Sequence, residues 1–198
     1  MRTTGGISTP QIPILAFLLG ILLTLSSFTI GICQDTETAF NNLGPYVPTP
    51  FEVVRKMLRF ADVKPNDVVY DVGCGDGRIV ITAAKEFGAK GIGIEINPFL
   101  VTEALENVKE EKVEDKVTIV EQDALTADFS SATVITIYLL PEGNLKLKPI
   151  FEKYLKPGVR VIFHNFEMVG WKAKKIGFIT DYNGFGHTLH LCVIGQQK

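Results

Sequence analysis

Cysteine is scarce in this sequence and never paired. Cys33, Cys74 and Cys192 stand far apart, so the spacings of a structural metal site and of a disulfide framework are both absent. Histidine gives no metal pair either. His187 and His190 lie three apart on an expected strand, point to opposite sides and read as packing residues. Positive charge is not in excess: 20 Lys and Arg face 22 Asp and Glu, for a net charge of −2. No nucleic-acid partner is therefore expected. Repeats and low-complexity tracts are missing. Two familiar phosphate-binding loops are missing as well. The dinucleotide fingerprint needs a glycine where Arg78 stands, and no lysine followed by Ser or Thr comes after the glycines, which excludes a P-loop.

What is present is a different glycine loop. Val68-Val69-Tyr70-Asp71-Val72 is a β-branched run that reads as a buried parallel strand. Gly73, Gly75 and Gly77 follow at every second position, with Cys74 and Asp76 between them. Lacking Cβ atoms, they let the backbone turn sharply and a ligand come close. Ile79, Val80, Ala83 and Ala84 then have helical spacing. A strand, a glycine loop and a helix N-terminus make a nucleotide-type site. Asp71 would repel a pyrophosphate but suits an ammonium or sulfonium group. Glu95 ends the next strand, 24 positions after Asp71, near the offset of about 20 at which a ribose-binding acid follows such a loop. Asp123 ends a third strand, so three acids converge on one sheet edge.

These residues resemble the class I S-adenosylmethionine-dependent methyltransferases over roughly residues 45–170. The resemblance implies S-adenosylmethionine as cofactor. Asp71 and the loop backbone, with Gly73, Cys74, Gly75 and Gly77, would hold its methionine end. Glu95, with Ile96 beside it, would accept the ribose hydroxyls, and Asp123 with Ala124 would read the adenine. Tyr46-Val47-Pro48-Thr49, Asp76 to Val80 and Glu95 to Val101 are similar to a narrower branch. That branch comprises the mitochondrial lysine methyltransferases of membrane carriers and ATP synthase subunits, with their prokaryotic relatives. By that similarity Tyr46 and Thr49 sit near the cofactor and the target lysine. Phe166 and Trp171 stand where the branch has an aromatic segment. Tyr138 to Pro141 and His164 to Met168 are similar to bacterial relatives whose substrate is unknown.

One long apolar run does occur. Residues 12–33 carry no charge, and about 20 such residues cross a bilayer. The run reads as an uncleaved single-pass anchor, with a cleaved signal segment as the alternative. Arg2 before it and Asp35 and Glu37 after it place the following domain outside by the positive-inside rule. An intracellular cofactor places that domain in the cytoplasm, and this argument prevails because the charge bias rests on one arginine.

The chain then divides into an anchor (1–34), a tether with the lid segment (35–49) and a methyltransferase domain (50–198). Thr49 is the expected N-cap of the domain's first helix, with Pro50 at N1 and Glu52 completing a capping box. Strands alternating with helices predict an α/β fold: a Rossmann-like, seven-stranded, mostly parallel sheet. Two strands near 176–181 and 188–194, joined by a loop at 183–186, close it. For the acceptor, Tyr138 would line the methyl channel, since an aromatic face attracts a cation, and Tyr46 would fold over the cofactor as a lid. The bland alternatives are a core tyrosine and simple packing on the first helix. Glu167 is a candidate proton acceptor or a solvated carboxylate. Lys172, Lys174 and Lys175 form a candidate contact for anionic headgroups or a solvated loop. The leading function is protein-lysine methylation on a membrane protein. Methylation of a small molecule or lipid and an inactive cofactor-binding module are the alternatives.

Overall fold

The computed structural model describes residues 43–197. The apolar run 12–33 and most of the tether lie outside the described residues, as do the anchor and its topology. Among the described residues no helix is long and apolar enough to cross a membrane.

Seven strands form one sheet: β1 Val68–Val72, β2 Lys90–Glu95, β3 Val117–Glu121, β4 Val134–Ile137, β5 Arg160–His164, β6 Lys175–Thr180 and β7 Gly186–Val193. Their order is β3-β2-β1-β4-β5-β7-β6. The first five pair in parallel, while β7 runs antiparallel between β5 and β6. Among the described residues four α-helices pack with them: α1 Phe51–Phe60, before β1, and α2 Arg78–Phe87, α3 Pro98–Glu110 and α4 Pro141–Tyr154 between strands. The expected Rossmann-like sheet is therefore the fold found.

Alternation along the strands builds two apolar layers. Val69, Val134, Ile162 and Leu189 face one way, against Val54, Met57 and Leu58 of α1 and Ile79 and Ala83 of α2. Tyr70, Ile135, Phe163 and Cys192 face the other way, with Leu147 and Phe151 of α4. Helix α2 lies very close to β2. A Cβ on Gly91 would stand 2.7 Å from the Cβ of Val80, so only glycine allows that approach. The chain leaves β1 toward β2 on one side and reaches β4 on the other. Ligands of open α/β sheets bind at such a switch point, beyond the strand C-termini.

Of two expected helix caps, one needs correction. Asn97 does cap α3, accepting from the Phe99 N–H at 3.0 Å. The capping box of α1, however, does not form. Pro50 occupies the N-cap with no side-chain bond to a backbone N–H. The Thr49 hydroxyl is 3.2 Å from His164 Nδ1 instead, and Glu52 accepts from the Tyr182 N–H at 3.1 Å. Cap and tertiary partner compete for one hydroxyl. Thr49 and His164 are both buried, and an unpaired buried nitrogen is the costlier loss. Trp171, in the expected aromatic segment, is buried against Phe163 and donates from Nε1 to Glu152 at 2.9 Å.

Candidate active site

The glycine loop leaves β1 with Gly73, Gly75 and Gly77 at φ of +73°, +55° and +79°. These left-handed conformations suit glycine and strain other residues. Backbone bonds hold the loop over the end of β2: the N–H groups of Gly73 and Cys74 both donate to Ile94 O, at 2.9 and 3.0 Å. Cys74 is buried between loop and sheet, and that burial pushes its thiol well above the ordinary value.

Glu95 clamps the loop from below. Its Oε2 accepts from the Gly75 N–H, and its Oε1 from the N–H groups of Ile96 and Asn97, each at 2.9 Å. The side chain expected to receive a ribose therefore also fixes the loop that surrounds the cleft. Glu95→Ala would orphan three backbone donors. We expect it to cost about 1–3 kcal/mol per donor left unsatisfied, read as a fall in thermal midpoint together with weaker S-adenosylmethionine binding. An unchanged midpoint would show that the clamp is immaterial.

Asp71 and Thr136 are register partners on β1 and β4, and both side chains point to the α1 side. Thr136 Oγ1 donates to Asp71 Oδ1 at 2.6 Å. Burial first, with the charges of Glu95 and Asp76, outweighs the lowering Thr136 hydrogen bond and lifts the Asp71 pKa to about 7. The carboxylate is thus built to gain from a cation in the cleft. Asp123 follows β3, accepts from the Leu125 N–H at 2.9 Å and caps a short 3₁₀ turn, Ala124–Thr126. Asp71, Glu95, Asp123 and Ala124 all border the same cleft. The sequence-predicted acids are therefore brought together, on three neighbouring strand ends.

The segment before α1 closes the cleft from above. An ideal Cβ on Gly75 would lie 2.3 Å from the Tyr46 ring, so Tyr46 rests on the loop. Arg78 fastens the segment, donating to Thr49 O at 2.9 Å and forking onto Asp76. Burial works against the Asp76 charge, but the Arg78 hydrogen bonds and charge prevail and hold its carboxyl below the usual range. Burial, then Asp76, raises the Tyr46 pKa.

Tyr138 forms the far wall of the cleft. Its ring lies 3.9 Å from the His164 ring and stacks at 6.5 Å on Phe166, while Asn165 Nδ2 donates to its hydroxyl at 3.4 Å. Glu167 is not at the cleft, being 3.7 Å from His190 on the opposite face of β7. The sequence reading missed His164, and it took His187 for packing. The two rings join at 2.8 Å, Nε2 to Nδ1. The available signal was an imidazole at the C-terminal tip of β5, beside the switch point.

The site fits a cationic nucleoside. Asp71, Glu95 and Asp123 line one cleft, where carboxylates favour a cation, and glycine backbone allows close approach. Known proteins agree. The ANTKMT methyltransferase domain family matches residues 71–175. A protein-lysine N-methyltransferase from Saccharolobus islandicus (strain REY15A) is 50% identical over 155 residues, covering 78% of this chain and 96% of that protein. A lysine N-methyltransferase of the ATP synthase c-subunit, from Xenopus laevis, is 32% identical over 127 residues, covering 64% of this chain and 55% of that one. The crystal structure of an RNA methyltransferase from Salinibacter ruber, bound to S-adenosyl-L-homocysteine, superposes with a TM-score of 0.70 at 48% identity. It covers 75% of this chain and 94% of that one.

Proposed function

Because this chain belongs to the ANTKMT methyltransferase domain family and is an S-adenosylmethionine-dependent methyltransferase, we propose that its acceptor is a protein lysine. One observation carries this reading: half the aligned residues are shared with a protein-lysine N-methyltransferase, across nearly that protein's whole length. A second enzyme of similar identity is described as acting on RNA. The net charge of −2 favours protein, since phosphate contacts need a basic surface.

Bound S-adenosylmethionine supplies an electrophilic methyl group on sulfur. The protein's task is to align the acceptor and exclude water. Asp71 and the loop from Gly73 through Cys74 and Gly75 to Gly77 would take the methionine end. Glu95, with the backbone of Ile96, would take the ribose, and Asp123 with Ala124 the adenine. Tyr46 covers this site and Tyr138 walls it, so a lysine side chain entering between them meets an aromatic face and the Thr49 hydroxyl. We also place the acceptor on a membrane protein, with residues 12–33 engaging the bilayer and the domain on the cytoplasmic side.

Mass spectrometry of membrane proteins from cells with and without this gene product tests the assignment. The expected result is a shift of one or more methyl groups on a lysine. Methyl label appearing only in extractable lipid or small molecules, or in RNA, would overturn it.

A further inference from the structure

Asp181 stands in the turn between β6 and β7. Its Oδ1 is committed to the N–H groups of Asn183 and Phe185, at 2.9 Å each, and its Oδ2 lies 3.3 Å from His187 Nε2. Burial opposes its charge, but the Phe185 N–H, the His187 ring and the Asn183 N–H outweigh burial and hold the carboxyl below its ordinary value. An ionised carboxylate can only accept. A His187 ring with a single hydrogen therefore carries it on Nε2, and its Nδ1 accepts. His164 Nε2, 2.8 Å away, must be the donor to that nitrogen. His164 Nδ1 then accepts in turn, from Thr49 Oγ1 at 3.2 Å. One carboxylate thus fixes two tautomers and turns the Thr49 hydrogen away from the cleft. The oxygen lone pairs that remain on Thr49 are acceptors at the cleft wall.

We propose that Thr49, His164, His187 and Asp181 form a proton exit path from the acceptor amine to the β6–β7 turn. Thr49 Oγ1 meets the amine, and the other three are positioning residues. The proposal rests on the lysine reading. A lysine ammonium must lose a proton against an unperturbed pKa of about 10.4. That proton passes to Thr49 Oγ1 as the Thr49 hydrogen passes to His164 Nδ1 and the His164 Nε2 hydrogen to His187 Nδ1. His187 becomes an imidazolium held against the Asp181 carboxylate, and its extra proton leaves to solvent at the turn, where Tyr182 and Phe185 are exposed. The freed amine lone pair forms the N–C bond as the C–S bond breaks, with that bond's electron pair staying on sulfur.

The surroundings agree. The groups facing His164 are Thr49 from before α1, Tyr138 from the end of β4 and His187 from β7. Burial first, then His187, lowers the His164 pKa to about 4, so it rests neutral and relays without trapping charge. The pair of Glu167 and His190 lies across β7 and stays outside the path.

Long-range ¹⁵N–¹H correlation spectra of the full chain without acceptor test the path directly. The expected result near neutral pH is both rings neutral with hydrogen on Nε2. Hydrogen on His164 Nδ1 would overturn it. In turnover assays on lysine, His187→Gln and Asp181→Asn should lose about 10- to 100-fold in kcat near neutral pH. They should recover toward wild type above about pH 9, where solvent deprotonates the amine, and keep their S-adenosylmethionine affinity. A deficit equal at every pH, or none, would refute the path. A wild-type product methylated elsewhere than on lysine refutes the lysine reading separately, and the tautomers still decide the path.

Discussion

Replacing Gly75 by arginine is expected to abolish S-adenosylmethionine binding in calorimetry, with at least a roughly 100-fold loss, or about 2.7 kcal/mol. Two causes add. The φ of +55° is a left-handed conformation, costing a non-glycine residue about 1–2 kcal/mol. The first side-chain carbon would also enter the Tyr46 ring, 2.3 Å away, so the loop or the lid must move. Gly184→Ala separates these causes. It shares the strain, with φ of +87°, but its Cβ meets nothing within 4 Å. Gly184→Ala should bind cofactor normally, while Gly75→Ala should already bind weakly and regain part of its affinity in the background of Tyr46→Ala. Normal binding by Gly75→Arg would refute the assignment of the loop to the cofactor.

Asp71→Asn should stabilise the ligand-free protein at pH 8 and weaken cofactor binding. The folded pKa of about 7 lies above the ordinary value of 3.8. Below pH 3.8 the carboxyl is protonated in both folded and unfolded chains and contributes nothing. As pH rises from there, the unfolded chain ionises freely while the folded one resists, and stability falls until the penalty is complete above about pH 7. Three units at about 1.4 kcal/mol each set an upper bound of roughly 4 kcal/mol. For a domain of this size that corresponds to a rise on the order of 10 °C in the thermal midpoint. The same variant at pH 4 should melt near the wild type. Binding of a cation draws the wild-type carboxyl into its charged form, so affinity should strengthen from pH 6 to 8 with release of a proton, measured by calorimetry in two buffers of different ionisation enthalpy. Equal stability of variant and wild type at pH 8 would remove Asp71 as a strained, cation-seeking group.

Much of this site is readable along the chain because its signals are local. A β-branched run, alternate glycines and a helical apolar spacing each lie within one short window, and Asp71, Glu95 and Asp123 fall at the ends of such runs. Strand ends in an α/β fold share one edge, so their convergence follows without long-range information. Thr49 shows where local reading stops. Its position before Pro50 and Glu52 is a sound capping signal, yet a buried imidazole 115 residues away takes the hydroxyl. Family resemblance implied only that Tyr46 sits near the cofactor, whereas its seat on Gly75 depends on how the lead-in segment crosses the loop.

The linear order of residues was enough to set the parallel strands, the glycine turn and the three acids, since each is governed by near neighbours and by the alternation of side chains. The contact of His164 with His187 needed the folded sheet. It arises because β7 returns antiparallel beside β5 with His164 opposite Leu189, which brings His187, two residues along on the same face, into diagonal reach. A slip of one residue would send that imidazole to the other side of the sheet. Backbone bonds between distant segments set that register, and no local pattern encodes it.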